Sequence, residues 1–158
     1  MIILNKDLWE SDRILKLRSS ENWEGKDVSV MLDCTLKEIK SILGECEPSK
    51  RAIFIIDCNK GMVPPLYQIS KIALFFVKMK PILIKYLDFT IIYSKEDDYK
   101  IWLDTVLKLY VPARPINIAR NKDDVKSLIS QRGTIPENED DCEDECEDDI
   151  QGMVQNGF

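Results

Sequence analysis

RAIFIID (residues 51–57), PPLYQISKIALFFVKMKPILIKYL (64–87), DFTIIYS (88–94) and DDYKIWLDTVLKLYV (97–111) follow one another with little between them. Short apolar segments alternate here with longer segments of helical period, a pattern that predicts a mostly parallel sheet with helices packed on it. AIFII shows no polar alternation, which places it at the sheet centre, buried on both faces. Pro64 and Pro65 suit the entry of the long helix, where a missing N–H costs nothing. Pro81 predicts a kink or break at 78–81, because an interior proline removes a bond and clashes with the preceding turn. Residues 89–93 read as the next strand. Ser94 and Asp97 then resemble a capping box opening a helix whose apolar face holds Ile101, Trp102, Leu103, Val106, Leu107, Leu109 and Tyr110.

Toward the N-terminus, residues 2–4 and 13–18 are candidate strands. RILKLR alternates imperfectly between apolar and basic residues, which predicts a strand wet on one face and at a sheet edge. DVSVMLD (27–33) reads as a further strand, followed by a Thr35–Glu38 capping box and a short amphipathic helix with Leu36, Ile39, Ile42 and Leu43, closed by Gly44. Toward the C-terminus, Pro112 and Pro115 bracket a turn into a strand at 116–119. Asn121 caps a last helix, KDDVKSLISQ (122–131), and Gly133 ends it. The expectation is one α/β domain over 1–135, with a mixed, mostly parallel sheet of about five strands, and a separate tail over 136–158.

Bulk properties narrow the function. A chain of 158 residues holds one domain with a real core. The longest apolar run, 72–77, falls far short of the roughly 18–20 residues of a membrane span. No secretory leader is legible in MIILNKDLWESDR, so a cytoplasmic, intracellular setting is expected. Five cysteines without a regular framework fit a reducing compartment. Cys142 and Cys146 lack a nearby second pair to close a zinc site. The chain has no histidine, which removes Ser-His-Asp and Cys-His catalysis and imidazole metal sites together. No metal and no cofactor are expected.

Charge is divided. Ten of the 28 acidic residues lie in 137–149, which has no basic residue, leaving 18 acids against 22 Lys and Arg elsewhere, a body of net +4. The tail, with Glu143, Asp144, Glu145, Glu147, Asp148 and Asp149 at its centre, is too polar to order itself and is expected to be flexible. Apolar residues return at its end with Ile150, Met153, Val154 and Phe158.

From Arg51 to Ser130 the element order, together with YLDFTIIYSKEDDYKIWLDTVLKLYVPARPINIARNKDDVKSLI, resembles the second half of a SpoIIAA-like domain, the fold shared by STAS regulatory domains and CRAL-TRIO lipid-transfer domains. The resemblance implies a phosphorylation loop in the first branch and lipid carriage in the second. The segment that would be the loop, residues 59–64 (NKGMVP), has no hydroxyl, and the chain has no room for the extra helical lobe of the lipid carriers.

Three constellations carry candidate chemistry. Asp33 and Asp57 end two strand readings alike (LDCT and IDCN), so neighbouring strands would set both at the carboxyl edge of the sheet, where ligands of open α/β sheets bind. With Ser94 and Arg120 at later strand ends they would form a phospho-receiver-like or Mg²⁺-dependent site; the alternative is that each Asp caps its own turn. Cys34 and Cys58, beside those acids, are expected to be buried and inert. Lys71, Lys78 and Lys85, spaced by seven, form one helical stripe with Lys80, Tyr67 and Tyr86 nearby, suited to the acidic tail, an anionic partner or a membrane surface, or simply a solvated face. Nucleic acid is not expected, since a +4 body lacks an arginine cluster and the tail would compete. Trp102 reads as core; Trp9 and Trp23 flank low-order segments, with a docking anchor as the less favoured of their two readings.

The leading expectation is a non-catalytic protein–protein interaction or assembly module, a component of a larger complex such as a virus particle. A small-molecule or lipid carrier of CRAL-TRIO type and a carboxylate-based phospho-receiver or Mg²⁺-dependent enzyme are the alternatives.

Overall fold

The computed structural model describes residues 2–19, 27–44, 50–59, 66–97 and 99–132. Trp23, Pro64, Pro65, Gly133, Cys142, Cys146 and the whole acidic tail, including Glu143 to Asp149, lie outside them. The strands are β1 (Ile2–Asn5), β2 (Ile14–Ser19), β3 (Ala52–Asp57), β4 (Leu87–Tyr93) and β5 (Ile116–Ala119). The helices are α1 (Trp9–Asp12), α2 (Val28–Gly44), α3 (Ile69–Tyr86), α4 (Tyr99–Leu109) and α5 (Lys122–Ser130), with a 3-10 turn at Leu66–Gln68 before α3.

The five strands lie side by side in chain order; β1 is antiparallel to β2 and the remaining pairs are parallel. Each parallel step is bridged by one helix, as parallel pairing demands. The expected mixed, mostly parallel sheet is therefore the fold. β3 sits at its centre, as its unbroken apolar run requires, with Ala52, Ile53, Phe54 and Ile55 all buried.

Alternation sorts each strand between two cores. Leu15, Ala52, Phe54, Leu87 and Ile92 face a large cluster made with α2, α3 and α4. Ile14, Ile53, Ile55, Phe89, Ile91, Tyr93 and Ala119 face the other side, against Val125, Leu128 and Ile129 of α5. α5 is opened by a reciprocal cap, Asn121 accepting from Asp124 N at 2.8 Å and Asp124 accepting from Asn121 N at 3.3 Å. Just past its end Arg132 donates to the Asp12 and Arg51 carbonyls, each at 2.5 Å, fastening the C-terminal side of α5 across the start of β2 and β3.

Four expectations are corrected. Residues 27–33 are helix, not strand: the apolar spacing Val28, Leu32, Thr35/Leu36, Ile39, Ile42/Leu43 is helical throughout, and all seven side chains are buried while Val30 is exposed. Asp27, not Thr35, supplies the start, accepting from Ser29 N (3.0 Å) and Val30 N (3.4 Å). Thr35 instead donates to the Met31 carbonyl one turn back. Second, β2 is not an edge; β1 pairs with its outer side and takes that position. Third, α3 runs unbroken through Pro81. The ~3 kcal/mol an interior proline costs is smaller than the burial of Ile69, Ile72, Phe75, Met79 and Leu83, at about 1.5–3 kcal/mol each. Fourth, Trp9 is no docking anchor: it is 6% exposed in the main core, with the Arg13 guanidinium over its ring. Trp102 is core, as expected.

Candidate functional site

Asp57, Ser94 and Arg120 all lie at the carboxyl edge of the sheet, Asp57 ending β3 and the other two just past β4 and β5, but each side chain bonds to other residues. Asp33 does not join them. With 27–33 helical it lies on α2, exposed, with Lys78 Nζ 3.3 Å from its Oδ1. The paired-carboxylate site therefore lacks one of its two acids, and no group of three or more Cys, Asp or Glu is placed to hold a metal ion among the described residues.

What the edge contains is a knitted set of turns. Asp57 Oδ1 accepts from the backbone N–H (3.0 Å) and side-chain amide (3.1 Å) of Asn59, and its Oδ2 lies 2.8 Å from Lys16 Nζ. Asn59 passes the connection to β4, its side-chain oxygen accepting from Lys95 N at 2.7 Å. Ser94 is buried and donates to the Glu96 carbonyl rather than capping α4. Arg120 donates to the Glu96 carbonyl, pairs with Asp97 and lies over the Tyr99 ring. Asp57 thus caps its own turn. Burial pushes its carboxyl upward, but the Lys16 ammonium and the Asn59 donors outweigh that and hold it below the ordinary value. Burial and the Asp57 charge push the neighbouring Cys58 thiol up to about 11, so it is protonated at neutral pH. Cys34, expected to be buried, is exposed on α2.

Lys16, Asn59 and Asp97 were not singled out by sequence reasoning as a set. The Asp-x-Asn spacing after β3 signals the Asx turn, whereas the Lys16 partnership depends on β2 lying beside β3.

The lysine stripe is where the spacing put it. α3 packs between α2 and α4, and its outward ridge runs Lys71, Leu74, Lys78, Pro81, Lys85, every one exposed and successive members three or four residues apart; Tyr67, in the 3-10 turn before α3, is exposed as well. Tyr67 is 73% exposed and Leu74 39%. Lys85 lies over the Tyr86 ring, and α3 contains no acidic residue. Lys71 makes no ion pair among the described residues. None of their helices is long and apolar enough to cross a membrane.

Between α3, α4, β4 and β5 lies a cavity of about 40 Å³, room for about three waters. Its walls include Leu83, Trp102, Leu103, Val106, Arg114 and Ile116. No family model, curated protein or solved structure matches the chain.

Proposed function

We propose that this chain is a non-catalytic protein–protein interaction module whose α3 ridge receives a carboxylate-rich segment of another protein or of a neighbouring copy. The observation that carries this reading is the ridge itself: three exposed ammonium groups at seven-residue spacing with exposed Leu74 between them, on a helix without a single acid, and exposed Tyr67 in the turn that precedes it. Such a surface offers both long-range attraction and an apolar footing. Residues 137–149 have the matching chemistry and supply the candidate segment. The SpoIIAA-like resemblance belongs to the same reading, supported by the run β3-α3-β4-α4-β5-α5 over the residues on which it rests.

The alternatives have less support. Asp33 stands away from the sheet edge, and Asp57, Ser94 and Arg120 are each engaged by neighbouring residues rather than by one another. The 40 Å³ cavity between α3, α4, β4 and β5 is by itself far smaller than a lipid tail requires.

The test is fluorescence anisotropy of a labelled peptide with the sequence of 137–149, titrated with the full chain. Exposed ion pairs contribute up to about 1 kcal/mol each, so Lys71→Gln/Lys78→Gln/Lys85→Gln should weaken binding about tenfold at low salt. The wild-type advantage should shrink as ionic strength rises. Equal binding by the triple variant would remove the ridge as the contact.

A further inference from the structure

Arg132, the last described residue, is tied to the edge of the sheet at which β3 and β4 begin. It donates to the Asp12 and Arg51 carbonyls, each at 2.5 Å, and its Nε lies 3.9 Å from Asp88 Oδ2. Asp88 is the second residue of β4 and stands three residues past Lys85, so their Cα atoms are at most ~11 Å apart. The chain that leads into the acidic stretch 137–149 therefore leaves the body at the Lys85 end of α3.

Length decides what that stretch can reach. Residues 133–140, extended, span up to about 28 Å, whereas a helix is only about 10–12 Å across. They can carry the chain from the α5 side of the sheet round to the outward face of α3. From Lys85 to Lys71 the ridge rises about 21 Å, fourteen residues at 1.5 Å each. Residues 141–149 extend to about 30 Å and bring seven carboxylates, enough to follow the whole line.

Charge decides where it settles. Lys6, Lys16, Lys100 and Lys126, elsewhere on the body, already stand beside carboxylates. α3 has no acid of its own, and the pair its ridge does make, Lys78 with Asp33, joins side chains 47% and 55% exposed, readily exchanged for another carboxylate.

We infer that residues 137–149 lie along the α3 ridge of their own chain and must be displaced before a carboxylate-rich segment of another molecule can bind there. This rests on the reading of the ridge as a carboxylate site and adds that the site is self-occupied. A segment held on a short tether is present at a local concentration of the order of millimolar. Against an intrinsic affinity of about 0.1 mM, it would raise the apparent Kd of an outside segment about tenfold. Residues 137–149 contain no aliphatic or aromatic side chain, so they leave exposed Leu74 and Tyr67 unused. A partner that adds an apolar side chain to its acids gains what the tethered segment lacks, and the contact thereby screens out merely acidic competitors.

The test compares two full-length chains, wild type and one with Glu→Gln and Asp→Asn throughout 137–149, each titrated against the labelled 137–149 peptide. The amide-tail chain should bind the peptide about tenfold more tightly at low salt. Lys71, Lys78 and Lys85 should also acetylate more slowly in wild type than in the amide-tail chain. That ratio should be the same at about 100 µM and about 1 µM protein, because a tethered segment is not lost on dilution. Equal peptide binding by the two chains would overturn self-occupation while leaving the ridge a carboxylate site; no binding by either would remove both readings. Protection that disappears on dilution would assign the segment to a neighbouring copy and overturn the intramolecular contact.

Discussion

The carboxyl edge of the sheet and the outward ridge of α3 both gather charged side chains, and they use them in opposite ways. At the edge, Asn59 bonds Asp57 and Arg120 bonds Asp97, and both Asn59 and Arg120 also bond the backbone just past β4. Along the ridge, Lys71, Lys78 and Lys85 stand out from the core, and among the described residues their one carboxylate contact, Lys78 with Asp33, joins two exposed groups. Bonded charges at strand ends hold the fold; charges on the outward face of α3 stand in solvent, where the proposed partner would meet them. Position in the α/β layout, more than residue type, decides between the two.

Substitution should expose that difference. The largest effect on stability is expected at Asn59. Asn59→Ala deletes the acceptor for Lys95 N and a donor to Asp57 and should cost about 1–3 kcal/mol, measured by denaturant unfolding. A cost below about 0.5 kcal/mol, the ordinary surface value, would mean the turns are not knitted as described.

A smaller, pH-dependent effect is expected at Asp57. Its carboxyl lies below the ordinary value in the folded chain, so the stability it contributes is fully present above the unfolded value of ~4 and is lost as pH falls through the lower folded value. Asp57→Asn should therefore be less stable than wild type at pH 6, with the gap closing as pH drops below about 4. A gap independent of pH would contradict the Lys16 pairing.

The smallest stability effect belongs to the ridge. The triple Lys→Gln variant should unfold within about 0.5 kcal/mol of wild type, because exposed pairs such as Lys78–Asp33 contribute little. A larger loss would make the ridge part of the scaffold.

Much of this layout is legible in the sequence. β3 and β4 announce themselves as short apolar runs, α3 and α4 by helical period, and α5 by Asn121 and Asp124 three residues apart. The stripe of Lys71, Lys78 and Lys85 is legible too, since spacing by seven fixes a helix face whatever packs beneath it. Residues 27–33 mislead because Val28, Val30 and Leu32 satisfy a period of two, and only the longer window through Leu43 reveals the helical one. That misreading carried Asp33 to the sheet edge. Lys16 beside Asp57, and the cavity with Trp102 and Arg114, were not legible, because both arise where segments distant in sequence are brought together.

The most direct measurement is zero-length carbodiimide crosslinking of the native full-length protein, using a mixture of ¹⁴N- and ¹⁵N-labelled chains and mapping the products by mass spectrometry. The ridge account predicts amide links from Lys71, Lys78 and Lys85 to carboxylates of 137–149, with mixed-isotope products where a neighbouring copy supplies the segment. Links from that segment to other exposed lysines, such as Lys37 or Lys126, with none to the ridge, would contradict it.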